Sequence, residues 1–513
     1  MNSRIAVRIA GATLASLALL PAAASAAVPC ADLLNLPLAE TTVTAAHEVP
    51  AGSFTPPGST NPITNLPAFC RVALTVAPAI RVEVWMPSAS WNQRYRGEGG
   101  GGYAGSISYG GLATGIRAGY ATASTDTGHV GGSGAFALNP DGTLNEGLIK
   151  DFAERSLHEM VLKAKALINA YYGSAPKYSY WNGCSTGGRQ GLMAVQRFPE
   201  EYDGLVIAAP AINWERFIAA ELWPQIVMNQ ELGAPIAAAK LNAVTAEAIA
   251  ACDVADGVSD GVINDPRKCD YDPGQSAALT PAEAAAMRKI WDGPRDVNGN
   301  RLWFGLERGA SLTGLAGTNP FAIAEQHMEL WVMQDPAFDW HTITKESFEQ
   351  AFRLSQRKFN EVIGTDEDNL QRFRKLGGKV LMWHGEADQL IMPKGTLNYY
   401  HRLLTGNGGL KHVDDTVRLF LAPGVAHCGG GAGPNPVGTF EAVVDWVENG
   451  NAPDTIMASR TLPGGALRTR PLCAYPKTAQ WTGLGSTDSA ANFVCVDGQH
   501  EAADFKITGP GSN

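Results

Sequence analysis

Segments that read as β-strands alternate with segments that read as helices in two separate parts of this chain. The long stretch between those parts shows no strand alternation. In the first part, Arg81 to Met86 and Tyr120 to Thr125 alternate like strands, Tyr178 to Trp181 is a short strand, and Gly204 to Ala209 is an apolar run suited to a buried parallel strand. Apolar residues recur at three- and four-residue steps over 151–172, which predicts a helix that Gly173 can cap. In the second part, Lys379 to Trp383 and Thr416 to Leu421 are strands, and a helix follows from Phe440 to Glu448. Such alternation builds a parallel sheet with helices on both faces. The intervening region, roughly 211–375, is rich in helix formers and turn residues. It reads as an insertion over the sheet, a lid, because the chemistry described below needs both flanking parts in one sheet. The organisation predicted is therefore a leader at 1–26, a first core part at 27–210, the lid at 211–375 and a second core part at 376–513.

The leader is read from a positive start (Arg4, Arg8), an apolar stretch through Leu17, Leu19 and Leu20, and the small-residue site Ala24-Ser25-Ala26. This is the pattern of a cleaved export signal, placing the mature start near Ala27 and the protein in the periplasm or outside the cell. No later segment has the ~18 uninterrupted apolar residues of a membrane span. The net charge of −10 disfavours nucleic acid and anionic membranes as partners. Export also changes how the eight cysteines read: an even number in an oxidising compartment favours disulfides, and the absence of any C-x-x-C pair argues against a zinc ribbon.

Gly183-Cys184-Ser185-Thr186-Gly187 matches G-x-S-x-G. In a chain with 57 glycines the match alone is weak, and its context carries it: a strand precedes and a helix, Arg189 to Phe198, follows. A sharp strand-to-helix turn strains the serine and exposes its hydroxyl, while small neighbours let the chain pass close by. Gly188 and Gly191 would relieve crowding against the sheet. The Thr186 N–H, at the helix start, would point at a developing oxyanion. A second donor would come from the loop Gly99-Gly100-Gly101-Gly102, with Gly100 or Gly101 as the candidates.

A serine nucleophile needs a base, and the base needs an orienting carboxylate. In the α/β-hydrolase layout they follow in the order serine, acid, histidine, each after a strand. His384-Gly385-Glu386-Ala387-Asp388 follows the strand at 379–383 and offers three candidates: Asp388, Glu386 and His384. His427 follows the strand at 416–421 in a glycine-rich loop.

Cysteine stands immediately before the nucleophile (Cys184-Ser185) and immediately after the base (His427-Cys428). Together with Gly-Cys-Ser-Thr-Gly-Gly, His-Gly-Glu-Ala-Asp and His-Cys-Gly-Gly, this paired arrangement resembles the tannase and feruloyl esterase family, which includes the mono(2-hydroxyethyl) terephthalate hydrolases. The resemblance implies an α/β-hydrolase fold with a large inserted lid, Asp388 as the acid, and a Cys184–Cys428 disulfide beneath the active site. The remaining cysteines then pair by proximity as Cys30–Cys70, Cys252–Cys269 and Cys473–Cys495.

The run from Cys252 to Val262 is dense in carboxylates and turn glycines, a composition suited to a hard cation, although its spacing is not that of an EF-hand. The resemblance implies calcium here in a structural role, with side chains from Asp253, Asp256 and Asp260 and backbone carbonyls from Val258 and Val262. It also implies hydrolysis of small aromatic esters: feruloyl, galloyl, or a terephthalate monoester. Trp303, Phe304, Phe321 and Trp331 are candidate wall aromatics. The rival readings are another serine hydrolase, such as a peptidase or lipase, and a non-catalytic hydrolase-fold binding protein. No feature of the sequence sets an oligomeric state.

Overall fold

Nine strands form the central sheet of the computed structural model, which describes residues 27–498. The predicted leader, 1–26, lies outside the described residues. In chain order the strands are β1 (Thr41–Val49), β2 (Phe69–Val76), β3 (Ile80–Pro87), β4 (Arg94–Glu98), β5 (Ala121–Thr125), β6 (Tyr178–Cys184), β7 (Gly204–Ala208), β8 (Lys379–Gly385) and β9 (Val417–Ala422). Their order across the sheet is β1-β2-β3-β5-β4-β6-β7-β8-β9. From β5 to β9 every neighbouring pair is parallel. β1, β2 and β3 extend this parallel block as an antiparallel ribbon. The six strands read from sequence are all present, but the sheet is mixed rather than wholly parallel.

β4 escaped the sequence reading for a physical reason. Its sequence, Arg-Tyr-Arg-Gly-Glu, looks like an exposed segment, yet it lies inside the sheet. Arg96 pairs with Glu98 at 2.5 Å with both side chains nearly covered, and the Arg96 guanidinium sits 4.1 Å from the Phe440 ring centroid. Neutralising each other and stacking on a ring lets two charges occupy a strand that would otherwise need apolar residues.

Five helices position the site. α1 (Ser156–Tyr172) follows a π-helical turn at Asp151–Arg155 and ends at Gly173, whose φ of 71° is the left-handed cap expected there. α2 (Thr186–Arg197) follows β6 directly, and α3 (Trp214–Glu221) follows β7. α4 (Pro393–Gly406) follows β8, and α5 (Thr439–Asn449) packs on β7 and β8. Past α5 the strands Thr455–Thr461 and Leu467–Cys473 join Asn435–Pro436, which precedes α5, in a three-stranded antiparallel sheet, and a hairpin, Lys477–Trp481 with Phe493–Asp497, is held to it by Cys473–Cys495.

β7 and β8 are direct neighbours, with Gly204 opposite Lys379, although their sequence positions are far apart. The chain between them leaves the sheet and returns to it, and among the described residues it holds helices and loops but no strand. Its buried side chains join one continuous apolar cluster with Tyr103 and Phe152 of the first core part. The insertion is thus packed onto the sheet domain and does not hang from it on a linker.

α2 lies close on the sheet. A Cβ on Gly188 would meet the Ala208 carbonyl oxygen at 2.7 Å and Pro210 Cα at 2.9 Å, so only glycine admits this approach. Gly188→Val should therefore destabilise the protein by roughly 1–3 kcal/mol, read from chemical denaturation midpoints. Gly110→Ala, where nothing lies within 4 Å of the added carbon, should hold or slightly raise stability.

Candidate active site

The turn at Ser185 adopts the strain its sequence predicts. Ser185 sits between β6 and α2 with φ 63° and ψ −123°, a region that L-residues avoid. Its N–H donates to the Ala208 carbonyl at 3.0 Å and its carbonyl accepts from Arg189 at 3.0 Å, so the flanking elements hold the turn. A Cβ on Gly183 would lie 2.3 Å from the Gly187 carbonyl oxygen, which explains the small residue two places before the serine.

Asp388 follows β8 and is fully buried. Its Oδ2 lies 2.8 Å from His427 Nδ1 and 3.1 Å from His384 Nε2, while its Oδ1 accepts the N–H groups of Leu390 and Ile391 at 2.9 Å each. Burial by itself would push this carboxyl up. The hydrogen bonds from His384 and His427 outweigh burial and hold it at about 2. A carboxylate at Nδ1 requires that nitrogen to carry the proton, which leaves Nε2 of His427 able to accept one.

Of the three candidates in that loop, Asp388 meets His427, and the other two do different things. His384 is fully buried behind Asp388. Its Nε2 faces two acceptors, Asp388 and the Ile391 carbonyl at 3.1 Å, so Nε2 carries hydrogen and Nδ1 accepts from the Thr396 hydroxyl at 2.8 Å. It donates to Oδ2, the same carboxylate oxygen that meets His427, and so helps to fix its position. Glu386 points away to Arg267, 3.5 Å distant, and burial pushes its carboxyl up to about 8 despite that guanidinium.

Ser185 and His427 line one cleft of about 340 Å³, and Cys184 and Cys428 beside them are bonded. The bridge closes a sequence separation of 244 residues with the two Cα atoms 5.8 Å apart. Cys30–Cys70, Cys252–Cys269 and Cys473–Cys495 complete the pairings, and no cysteine is free among the described residues. In the chain-entropy model a loop of this size contributes on the order of 5 kcal/mol. Its more specific effect is to fix the His427 loop against the Ser185 turn.

The glycine loop resolves the choice between its two candidates. The Gly100 N–H is spent on the Gln190 side chain at 2.9 Å, and Gly100 does not line the cleft, so it is not placed to donate to a substrate. Gly101 and Gly102 do line it, beside Thr186. The Thr186 hydroxyl donates to the Gly102 carbonyl at 2.7 Å, tying this loop to the nucleophile turn.

Apart from Glu221, the rest of the cleft is apolar. Phe321 and Ile323 come from the insertion, Leu390 and Ile391 from the loop after β8, and Trp214, Phe217 and Ile218 from α3. Of the wall aromatics read from sequence, Phe321 takes that place. Trp303, Phe304 and Trp331 are core residues instead, with the Trp331 ring against Tyr103. Trp214 and Phe217 went unread because α3 is buried on nearly every side and shows no polar face to mark its orientation. Glu221, at the end of the same helix, also lines the cleft.

The acidic loop folds around Asp253, whose carboxylate accepts the N–H groups of Asp260, Gly261 and Val262 at 3.1 Å. Asp256 accepts from the Val258 N–H at 2.9 Å, and Asp260 pairs with Arg470 at 2.6 Å and Arg468 at 3.3 Å. Burial, and then the charges of Asp260 and Asp253, push the Asp256 carboxyl up. Here the Asp253 oxygens are met by backbone N–H groups and the Asp260 carboxylate by two guanidinium groups.

A mixed sheet with a strained serine after one strand, a buried carboxylate after another and a histidine after a third has the arrangement of an α/β-hydrolase. The family model described as tannase and feruloyl esterase matches residues 64–496, and the chain belongs to that family. It is 37% identical over 474 residues to a probable feruloyl esterase of Arthroderma benhamiae, covering 86% of this chain and 88% of the relative. An uncharacterized esterase of Xanthomonas campestris is 35% identical over 556 aligned positions, covering 96% and 95%. The crystal structure of feruloyl esterase B from Aspergillus oryzae superimposes with a TM-score of 0.82 at 29% identity, covering 90% of this chain and 98% of that one. Tannin acyl hydrolase from Aspergillus niger gives 0.79 at 26% identity, covering 91% and 93%.

Two outcomes follow from this geometry. Asp388→Asn should lower kcat by roughly 10³–10⁴-fold while circular dichroism stays unchanged, because the amide cannot hold the His427 tautomer. Reduction of the Cys184–Cys428 bridge should abolish activity while much secondary structure survives; full activity with free thiols confirmed at both positions would contradict the role assigned to it.

Proposed function

We propose that this protein is a secreted serine esterase that hydrolyses esters of aromatic acids through an acyl-enzyme, with Ser185 as nucleophile, His427 as base and Asp388 as the acid behind it. The observation that carries this reading is the Asp388–His427 hydrogen bond, with His427 and Ser185 lining one cleft and their neighbouring cysteines joined. In the first step His427 Nε2 takes the proton from Ser185 as its oxygen attacks the ester carbonyl, and Asp388 stabilises the resulting imidazolium. The N–H groups of Thr186 and Gly101 receive the oxyanion. His427 then passes the proton to the leaving alcohol, and a water molecule, activated by the same imidazole, releases the acid.

The apolar cleft suits an aromatic acyl group, and the helical insertion serves as its lid, contributing Phe321, Ile323 and the face of α3. A feruloyl, galloyl or terephthalate ester meets that description. Export is supported by the residue pattern of 1–26 and by four disulfides, which persist in oxidising compartments. No helix among the described residues is long and apolar enough to cross a membrane. Calcium belongs to the same proposal. Asp253, Asp256 and Asp260 would hold it with the carbonyls of Val258 and Val262, and its double charge would offset the repulsion among those carboxylates.

Wild-type protein and Ser185→Ala, assayed on hydroxycinnamate, gallate and terephthalate esters beside anilides and long-chain esters, test the reading. Turnover should be confined to the aromatic esters and fall by roughly 10⁵–10⁶-fold in the variant. Preferential cleavage of anilides or long-chain esters would overturn it in favour of a peptidase or lipase. For the metal, chelator-stripped protein should bind calcium in a calorimeter and gain thermal stability, and Asp253→Asn should lose both effects.

A further inference from the structure

Glu221 closes α3 with 1% of its surface exposed, and it lines the same cleft as Ser185 and His427. Its Oε2 is buried with no hydrogen-bond partner. Leaving a carboxyl group buried and unmatched is costly, on the order of 1–3 kcal/mol for the lost partner alone. Nearby groups do not relieve it. Tyr103 is close enough for the Glu221 charge to act on its phenol, yet the Tyr103 hydroxyl lies 3.3 Å from the Ile323 carbonyl and donates there. Asp388 would repel a charge on Glu221. None of the described residues lining the cleft is a lysine or arginine.

We propose that Glu221 is a specificity-determining residue of this cleft, whose carboxyl group hydrogen-bonds a hydroxyl group carried by the aromatic acyl ring of the ester. The inference rests on the aromatic-ester reading above and narrows it. Burial, and then the charge of Asp388, push the Glu221 carboxyl well up, so the group is a neutral acid with one O–H to donate and a carbonyl oxygen to accept. A phenolic hydroxyl has the same two capacities and can satisfy both. An acyl ring carrying a carboxylate, as in a terephthalate monoester, would bring a second charge into an apolar cleft whose described lining offers no cation. An unsubstituted ring would leave Glu221 unmatched. Of the esters compatible with the cleft, those of hydroxylated aromatic acids are therefore favoured.

The test compares kcat/KM for methyl cinnamate with its 3-hydroxy, 4-hydroxy and 4-carboxy derivatives in wild type, Glu221→Gln and Glu221→Leu. Wild type should prefer at least one hydroxylated ester over the unsubstituted one by roughly 10–100-fold, and the carboxylated ester should be the poorest. Glu221→Gln, which still donates and accepts, should keep the preference within a few-fold. Glu221→Leu should bring the ratio close to one. A wild-type ratio near one overturns the proposal without reference to how any variant folds, and so does an unchanged ratio in the leucine variant. If wild type cleaves 4-nitrophenyl acetate but none of the aromatic esters, the aromatic-ester reading itself fails and this one with it. If it cleaves them all without discrimination, only the role of Glu221 fails.

Discussion

The parallel pairing of β6, β7, β8 and β9 is the constraint on which this site depends. Because the four strands run the same way in adjacent register, their carboxyl ends lie side by side along one edge. Ser185 follows the first of them, Asp388 the third and His427 the fourth, so side chains far apart in sequence emerge at that edge. Open α/β sheets bind ligands there because the loops leaving the strands are free to diverge while the strands beneath stay rigid. The Cys184–Cys428 bridge adds a covalent tie across the same edge. It joins residues that neighbour Ser185 and His427, so neither loop can drift without moving the other.

Burial acts on several carboxyl groups around this edge, and their environments separate them. Asp388 receives two histidine hydrogen bonds and two backbone N–H groups, enough to keep it ionised in a fully buried position. Glu221 and Glu386 lack such support and are pushed up, Glu386 to about 8. The group held ionised is thereby the one hydrogen-bonded to His427, and the carboxyl that faces the apolar cleft is one that burial pushes up. Different assignments for chemically similar groups, set by surroundings alone, are how one site supplies both an ion and a neutral donor. His384 is part of this arrangement, since it donates to the same Asp388 oxygen as His427.

The insertion between β7 and β8 contributes more than cover. Its side chains merge with Tyr103, next to the glycine loop, and with Phe152 and Ala153 of the π-helical turn in one apolar cluster, so cleft and insertion share a core. Arg189, on the helix that starts at Ser185, is fully buried in that region, and its guanidinium donates to the carbonyls of Phe152 and Ala153. The carbonyls of an irregular turn are thus matched by a side chain from the nucleophile helix, which couples the packing of the first core part to the position of the serine.

Much of this was legible in the chain itself. Period-two and period-3.6 apolar patterns marked the strands and helices on either side of the insertion, because those elements bury one face or both. Gly183 and Gly188 marked the tight turn, since any larger residue collides there, and Gly187 leaves little room beside the glycine loop. The order of Ser185, Asp388 and His427, and the cysteines beside two of them, identified the candidates. The charged strand β4 could not be read, because its burial depends on Arg96 meeting Glu98 and Phe440, and that meeting exists only in the folded sheet. Tertiary structure likewise decided which of three residues in one loop faces His427, which glycine borders the cleft, and that Trp214, Phe217 and Glu221 line it. Those outcomes depend on which side of an element meets which neighbour, and a one-dimensional pattern carries no such information when a helix is buried all round.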